Sequence, residues 1–163
     1  MKLTITALTF AAIALAAPAF AQEAGNAEAG AKVFNKCQTC HVVADADGNI
    51  LAGRMSKTGP NLYALPGRAA GSYEGFKGYG DDLVKLGTDG FVWDEASFVE
   101  YVADPAKFLK EKVGPRARSK MSFKLGKEEE AKDVYAYIAS LSPAPAEGEV
   151  APADGEAAPA VTN

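Results

Sequence analysis

Three stretches of this chain repeat apolar residues at helical spacing. In "NAEAGAKVFNK", residues 26–36, Val33 and Phe34 share a face with the following Cys37. Asn26 suits the N-cap, and Glu28 falls in the first turn, where the helix dipole favours an acid. In "DEASFVEYVADP", residues 94–105, Asp94 is the expected N-cap for a helix carrying Phe98, Val99, Tyr101 and Val102, and Asp104-Pro105 is the expected stop. In "KEEEAKDVYAYIASLSP", residues 127–143, three glutamates precede Ala131, Val134, Tyr135, Ile138 and Leu141, and Pro143 ends the run. No segment alternates convincingly with period two. The pattern therefore predicts an all-α core with Gly- and Pro-rich loops between its helices.

The two ends read differently. Lys2, the apolar run Leu3 to Ala17 and the small residues "AFA" at 19–21 have the form of a secretory signal, so residues 1–21 are expected to be removed and Gln22 to begin the mature protein. The run is shorter than the roughly 20 residues that span a bilayer. Residues 143–163 are mostly Ala, Pro, Gly and acid with no aromatic side chain, too little apolar surface to offset the entropy of ordering, and are read as a disordered tail. Residues 22–142 remain, a length suited to one domain with one core. The signal places that domain in the periplasm.

Charge is unevenly spread. The full chain carries a formal net charge of -4. Without Lys2 it has 16 basic against 21 acidic residues, and without Glu147, Glu149, Asp154 and Glu156 of the tail the balance is 16 against 17. Within this near-neutral body, residues 107–127 hold eight bases (Lys107, Lys110, Lys112, Arg116, Arg118, Lys120, Lys124 and Lys127) against Glu111 alone. Export and overall acidity argue against a nucleic-acid partner.

The chemistry is concentrated in "NKCQTCH", residues 35–41, which contains both cysteines and the single histidine of the chain. A Cys-x-x-Cys disulfide would close too small a loop to stabilise much. A structural zinc site needs four ligands and no second cluster supplies them. A thiol oxidoreductase places such a pair at a helix N-terminus, where the dipole lowers the thiol pKa, whereas here a predicted helix precedes it. Cys-x-x-Cys-His is the signature of covalent haem attachment, with two thioethers from Cys37 and Cys40 and the imidazole of His41 reaching the iron. One haem c is the expected cofactor.

A second protein ligand must then be something other than histidine, and a thioether suits low-spin haem iron. Met55 and Met121 are the candidates in the mature chain. Met55 is within reach, since the 14 residues after His41 extend on the order of 46 Å at about 3.3 Å each. Context favours Met121, which lies in the loop "ARSKMSFKLG" ahead of the last helix. Histidine with methionine leaves the iron no open position, so electron transfer is expected rather than catalysis. The alternative is a haem c enzyme or gas sensor with a labile sixth ligand, for which the chain offers no second histidine.

The segments "AGAKVFNKCQTCHVV", "KTGPNLYALPGR", "FKGYG", "WDEASFVEYVADPAKFLK" and "SKMSFKLG", taken in order, resemble the class I soluble cytochromes c, and among them the bacterial cytochrome c2 and c550 proteins. The resemblance runs over essentially all of residues 22–142. It implies the class I cytochrome c fold, with helices and loops wrapped around one haem. It implies His41 and Met121 as axial ligands, Pro60 as carbonyl acceptor for the far nitrogen of His41, and Tyr101 with its hydroxyl towards the Met121 sulfur. It makes Arg68, Tyr79, Trp93 and Ser119 the donors to the haem propionates. It places Gly30 and Phe34 of the first helix against Val134 and Tyr137 of the last.

It also implies a monomeric, non-enzymatic carrier, reduced by the cytochrome bc1 complex and oxidised by a photosynthetic reaction centre or a terminal cytochrome oxidase. The basic residues around Met121, among them Lys107, Lys110 and Lys120, would dock it on those acidic membrane partners.

Overall fold

The computed structural model of the protein describes residues 25–143. The proposed signal and all of the proposed tail beyond Pro143 lie outside those residues. The elements, in order, are α1 (Ala27–Val33), β1 (Val42–Ala44), β2 (Ile50–Gly53), α2 (Asp81–Thr88), α3 (Glu95–Ala103), α4 (Pro105–Lys112) and α5 (Glu128–Ser140). A single 3-10 turn, Phe34–Lys36, extends α1 towards the cysteines.

The caps form as the sequence predicts. The Asn26 side chain accepts from the Ala29 amide at 3.0 Å, and Asp94 and Ser97 make a reciprocal capping box on α3. Asp104 does more than stop a helix. It ends α3, then accepts from the Lys107 amide at 3.0 Å to cap α4, whose first residue is Pro105. The Asp-Pro pair is thus a corner between two helices, and α4 follows the predicted stop without a loop.

A short two-stranded ladder corrects the expectation of no strands. Val42, Val43 and Ala44 pair antiparallel with Gly53, Ala52 and Ile50, with an irregularity after Val43. All three β1 residues are buried, because Asn61 closes the other edge: its side chain accepts from the Ala44 amide and donates to the Ala44 carbonyl. Three uniformly apolar residues leave no period-two alternation to read. The connecting turn is built by Asp45, whose carboxylate accepts from the amides of Asp47 and Asn49, with Gly48 at φ 86°.

The core is formed where α1 crosses α5. A Cβ at Gly30 would lie 1.9 Å from the Asp133 carbonyl oxygen and 2.8 Å from Tyr137 Cβ, so only glycine lets the helices approach this closely. The Phe34 and Tyr137 rings meet edge to face at 5.6 Å. Polar contacts hold both ends of the crossing: the Asn26 amide donates to Asp133 at 2.6 Å, and Lys36 pairs with Glu130 at 2.6 Å. Val134 and Ile138 of α5 are fully buried, each contributing roughly 1.5–3 kcal/mol relative to exposure. The rings of Phe91, Trp93, Tyr101 and Phe108 pack as one cluster, meeting edge on except for Trp93 and Phe108, which stack at 6.2 Å. Among the described residues no helix is long and apolar enough to cross a membrane.

Candidate functional site

A cavity of about 470 Å³ opens between the 3-10 turn, the segment 58–83, α3 and the loop that joins α4 to α5. All ten residues expected at the site line it: Cys37, Cys40, His41, Pro60, Arg68, Tyr79, Trp93, Tyr101, Ser119 and Met121. They come from five separate stretches of chain. Leu62, Leu65, Leu83, Phe98, Val102, Leu109 and Val134 make most of the rest of the wall apolar, as a flat hydrophobic group would require.

The cysteine motif forms one helical turn, with the amides of Cys40 and His41 both donating to the Cys37 carbonyl, at 3.1 and 3.0 Å. Both thiols are half-buried on the cavity wall and neither is in a disulfide. Burial pushes the Cys37 thiol up to about 11, against a smaller opposing effect of the Lys36 charge. A thiol held in its protonated form at the C-terminal side of a helix is the reverse of an oxidoreductase nucleophile.

His41 is oriented by its neighbours. Its Nδ1 lies 2.9 Å from the Pro60 carbonyl oxygen, which can only accept, so Nδ1 carries the proton and Nε2 keeps its lone pair. Burial holds the pKa below the ordinary histidine value and the ring neutral at neutral pH, as a metal ligand must be. Gly59, a residue sequence reasoning missed, makes this position possible: a Cβ there would sit 2.6 Å from His41 Cε1 and 2.8 Å from Nδ1. "TGPNL" held the signal, a glycine before the accepting proline, but only the fold brings it against the ring.

The methionines separate clearly. Met55 is 73% exposed and off the cavity wall, while Met121 packs against the core and lines the cavity. The Met121 segment is shaped by Ser119, whose Oγ donates to the Met121 carbonyl and accepts from its amide. The Tyr101 hydroxyl lies 3.4 Å from Ser119 Oγ, its polar partner among the described residues. The bond is long, and it ties Tyr101 to the loop on which Met121 sits.

Arg68 supplies the test of fit for an acidic group. Its guanidinium donates to the carbonyls of Tyr63 and Asn61, at 2.9 and 3.0 Å, and lies over the Tyr73 ring at 5.4 Å. It makes no ion pair among the described residues. A part-buried cation balanced only by carbonyl dipoles and an aromatic face on a cavity wall is suited to an entering carboxylate. Tyr79 lies beside it, its pKa raised by burial, and Trp93 is both buried core and cavity wall. Thiols, a bare imidazole nitrogen, a thioether, an unmatched cation and apolar walls together fit haem with its two propionates.

The family model for cytochrome c matches residues 27–142. The chain belongs to the cytochrome c family. It is 59% identical over 128 residues to cytochrome c2 of Fuscovulum blasticum, covering 78% of this chain and 80% of that protein. It is 50% identical over 157 residues to cytochrome c-550 of Paracoccus versutus, covering 91% and 98%. The solved structure of cytochrome c2 from Rhodobacter sphaeroides superposes with a TM-score of 0.70 at 54% identity, covering 71% of this chain and 95% of that one. The fold is that of the class I cytochromes c, and the protein is a monohaem electron carrier with one haem c attached through Cys37 and Cys40.

Basic residues at this cytochrome's cavity mouth are fewer than the sequence suggests. Of the eight bases in 107–127, four are paired: Lys107 with Glu111 and Lys112 with Glu100, both at 3.7 Å, Lys124 with Asp104 at 2.6 Å and Lys127 with Glu130 at 3.1 Å. Lys110, Arg116, Arg118 and Lys120 make no ion pair among the described residues. Only Arg118 and Lys120 of the eight line the cavity.

Proposed function

We propose that this cytochrome is a periplasmic shuttle, exported by residues 1–21, that carries single electrons from the cytochrome bc1 complex to a photosynthetic reaction centre or terminal oxidase. In this reading residues 22–142 are the carrier domain and 143–163 an acidic tail. His41 Nε2 and the Met121 sulfur would hold the iron of the bound haem. The observation that supports this most directly is the convergence of a neutral, Pro60-oriented imidazole and one cavity-lining methionine, with the other methionine exposed.

Bound haem supplies a one-electron couple between Fe(II) and Fe(III). The chain's residues bias that couple and protect it. Neutral His41 and Met121 add no charge to the iron, and apolar walls disfavour the more charged ferric centre, so a positive midpoint potential is expected. Arg68, Tyr79, Trp93 and Ser119 are the polar groups placed to receive the propionates. With His41 and Met121 both committed to the iron, no position would remain for a substrate, which is the reason to read the cytochrome as a carrier and not an enzyme.

The experiment is carbon monoxide addition to the reduced mature protein at neutral pH, followed in the visible haem bands. No change on mixing is the expected result, because Met121 holds the sixth position. Rapid, complete binding would replace the carrier reading with that of a haem enzyme or gas sensor.

Docking is expected to use the unpaired bases. Lys120→Glu, at the cavity mouth, should slow electron transfer to an acidic membrane partner by about tenfold at low ionic strength and by much less at high salt, where a Debye length of about 3 Å screens it. Lys110→Glu should act in the same direction. Lys107→Glu should act more weakly, because Glu111 already offsets that charge. Stopped-flow rates across a salt series would measure this. Rates and salt slopes for these variants that match the wild type would place the docking face elsewhere.

A further inference from the structure

The loop carrying Met121 is poorly held by its own backbone. Between Ala117, whose amide donates to the Gly114 carbonyl, and Leu125, whose amide donates to the Val102 carbonyl, no main-chain amide of residues 118–124 reaches another main-chain group among the described residues. Two of these amides are satisfied by side chains. That of Met121 goes to Ser119, a bond local to the loop. The Arg118 amide goes to Asp82 Oδ2 at 2.9 Å, across 36 residues of sequence.

Asp82 lies in the first turn of α2, and residues on either side of it are cavity wall. Tyr79, Gly80 and Leu83 all line the cavity, and a Cβ on Gly80 would lie 3.5 Å from Lys120 Cγ and 3.8 Å from the Arg118 carbonyl oxygen. The start of α2 and the segment 118–120 therefore run in contact along one rim. A carboxylate accepting a main-chain N–H makes a charge-assisted bond, stronger than a neutral one. The other side-chain tethers of this loop to the body are weaker: the Tyr101–Ser119 bond is long, at 3.4 Å, and Lys124 to Asp104 is a solvent-accessible ion pair of small worth.

We propose that Asp82 is a positioning residue for Met121: its carboxylate pins the Arg118 amide and so sets how readily the methionine leaves the sixth coordination position. The inference rests on Met121 as the axial ligand. It concerns the main chain of Arg118 and not its guanidinium, which makes no ion pair with Asp82.

Three variants of the haem-loaded protein test it, with Met121→Ala as reference. Two quantities are read: hydrogen exchange of the Arg118 amide by NMR, and the slow rate at which reduced protein binds carbon monoxide under saturating gas. In Asp82→Ala both should rise by about tenfold, the scale of losing one charge-assisted hydrogen bond. Asp82→Asn should recover most of the wild-type behaviour, because its amide oxygen accepts the same bond. Asp81→Ala removes an equal charge from the same helix turn without touching the loop, and should leave both rates within about twofold of wild type.

If Asp81→Ala matches Asp82→Ala, the effect belongs to the helix end and the proposal falls. It falls too if Asp82→Ala leaves either rate at the wild-type value. Failure of the ligand reading is recognised separately: Met121→Ala would then bind carbon monoxide no faster than wild type.

Discussion

Met121→Ala is expected to lower the midpoint potential by on the order of 100–200 mV, within the span of roughly 0.8 V over which axial ligands set haem potentials. The sulfur is a soft, neutral donor that favours ferrous iron, and alanine leaves water or nothing in its place. The same variant should bind carbon monoxide rapidly where the wild type does not. Met55→Ala is the control. At 73% exposure and off the cavity wall, Met55 should leave the potential and the gas binding as they were. A spectroelectrochemical titration of the three proteins decides it. Equal potentials for wild type and Met121→Ala would remove Met121 from the iron.

Gly30→Val should destabilise the fold by about 3 kcal/mol or more, lowering the thermal midpoint by about 10 °C. Glycine inside a helix costs roughly 0.5–1 kcal/mol relative to alanine, so on propensity alone any replacement should help. The packing reverses the sign. A Cβ at 30 would fall 1.9 Å from the Asp133 carbonyl oxygen, a main-chain atom that cannot rotate away. The two helices would have to separate, loosening the Phe34–Tyr137 contact and the buried Val134 beside it. Phe34 is followed within three residues by Cys37, so the haem-attachment turn should move as well. Gly126, with open space around its Cβ direction and an ordinary φ, gives the contrast: Gly126→Ala should stay within about 0.5 kcal/mol. Thermal unfolding followed by circular dichroism measures both, and a Gly30→Val protein as stable as wild type would refute the close-packing account.

Several features of the chain were open to reading because their causes are local. The Asn26 and Asp94 caps act on amides three residues away, at Ala29 and Ser97. Cys37, Cys40 and His41 fit within one turn, and the chemistry of that spacing is written in five consecutive residues. The apolar stripe of α5 is likewise a periodicity within one element. Two helices escaped notice for equally local reasons. The short α2 contains Gly87, which looks like a breaker until the Ala70 carbonyl is found 1.8 Å from where its Cβ would be. The start of α4 was hidden in an Asp-Pro pair whose reading as a stop was correct for α3 alone.

By itself, then, the sequence determined a helical core and a site for one covalently bound haem, and its resemblance to the class I cytochromes c named the residues that line the cavity. Tertiary structure decided what depends on groups far apart in the chain. Glu100 and Asp104 arrive from other elements to pair two of the bases that a linear count leaves free. Gly59 and Pro60 come against His41, and Asp82 reaches Arg118, because folding closes the intervening loops. Periodicity and capping report a residue's relation to its near neighbours, where chain connectivity limits the possible distances. Which carboxylate meets which amide across 36 residues is set by how all the helices pack at once, and no single segment carries that information.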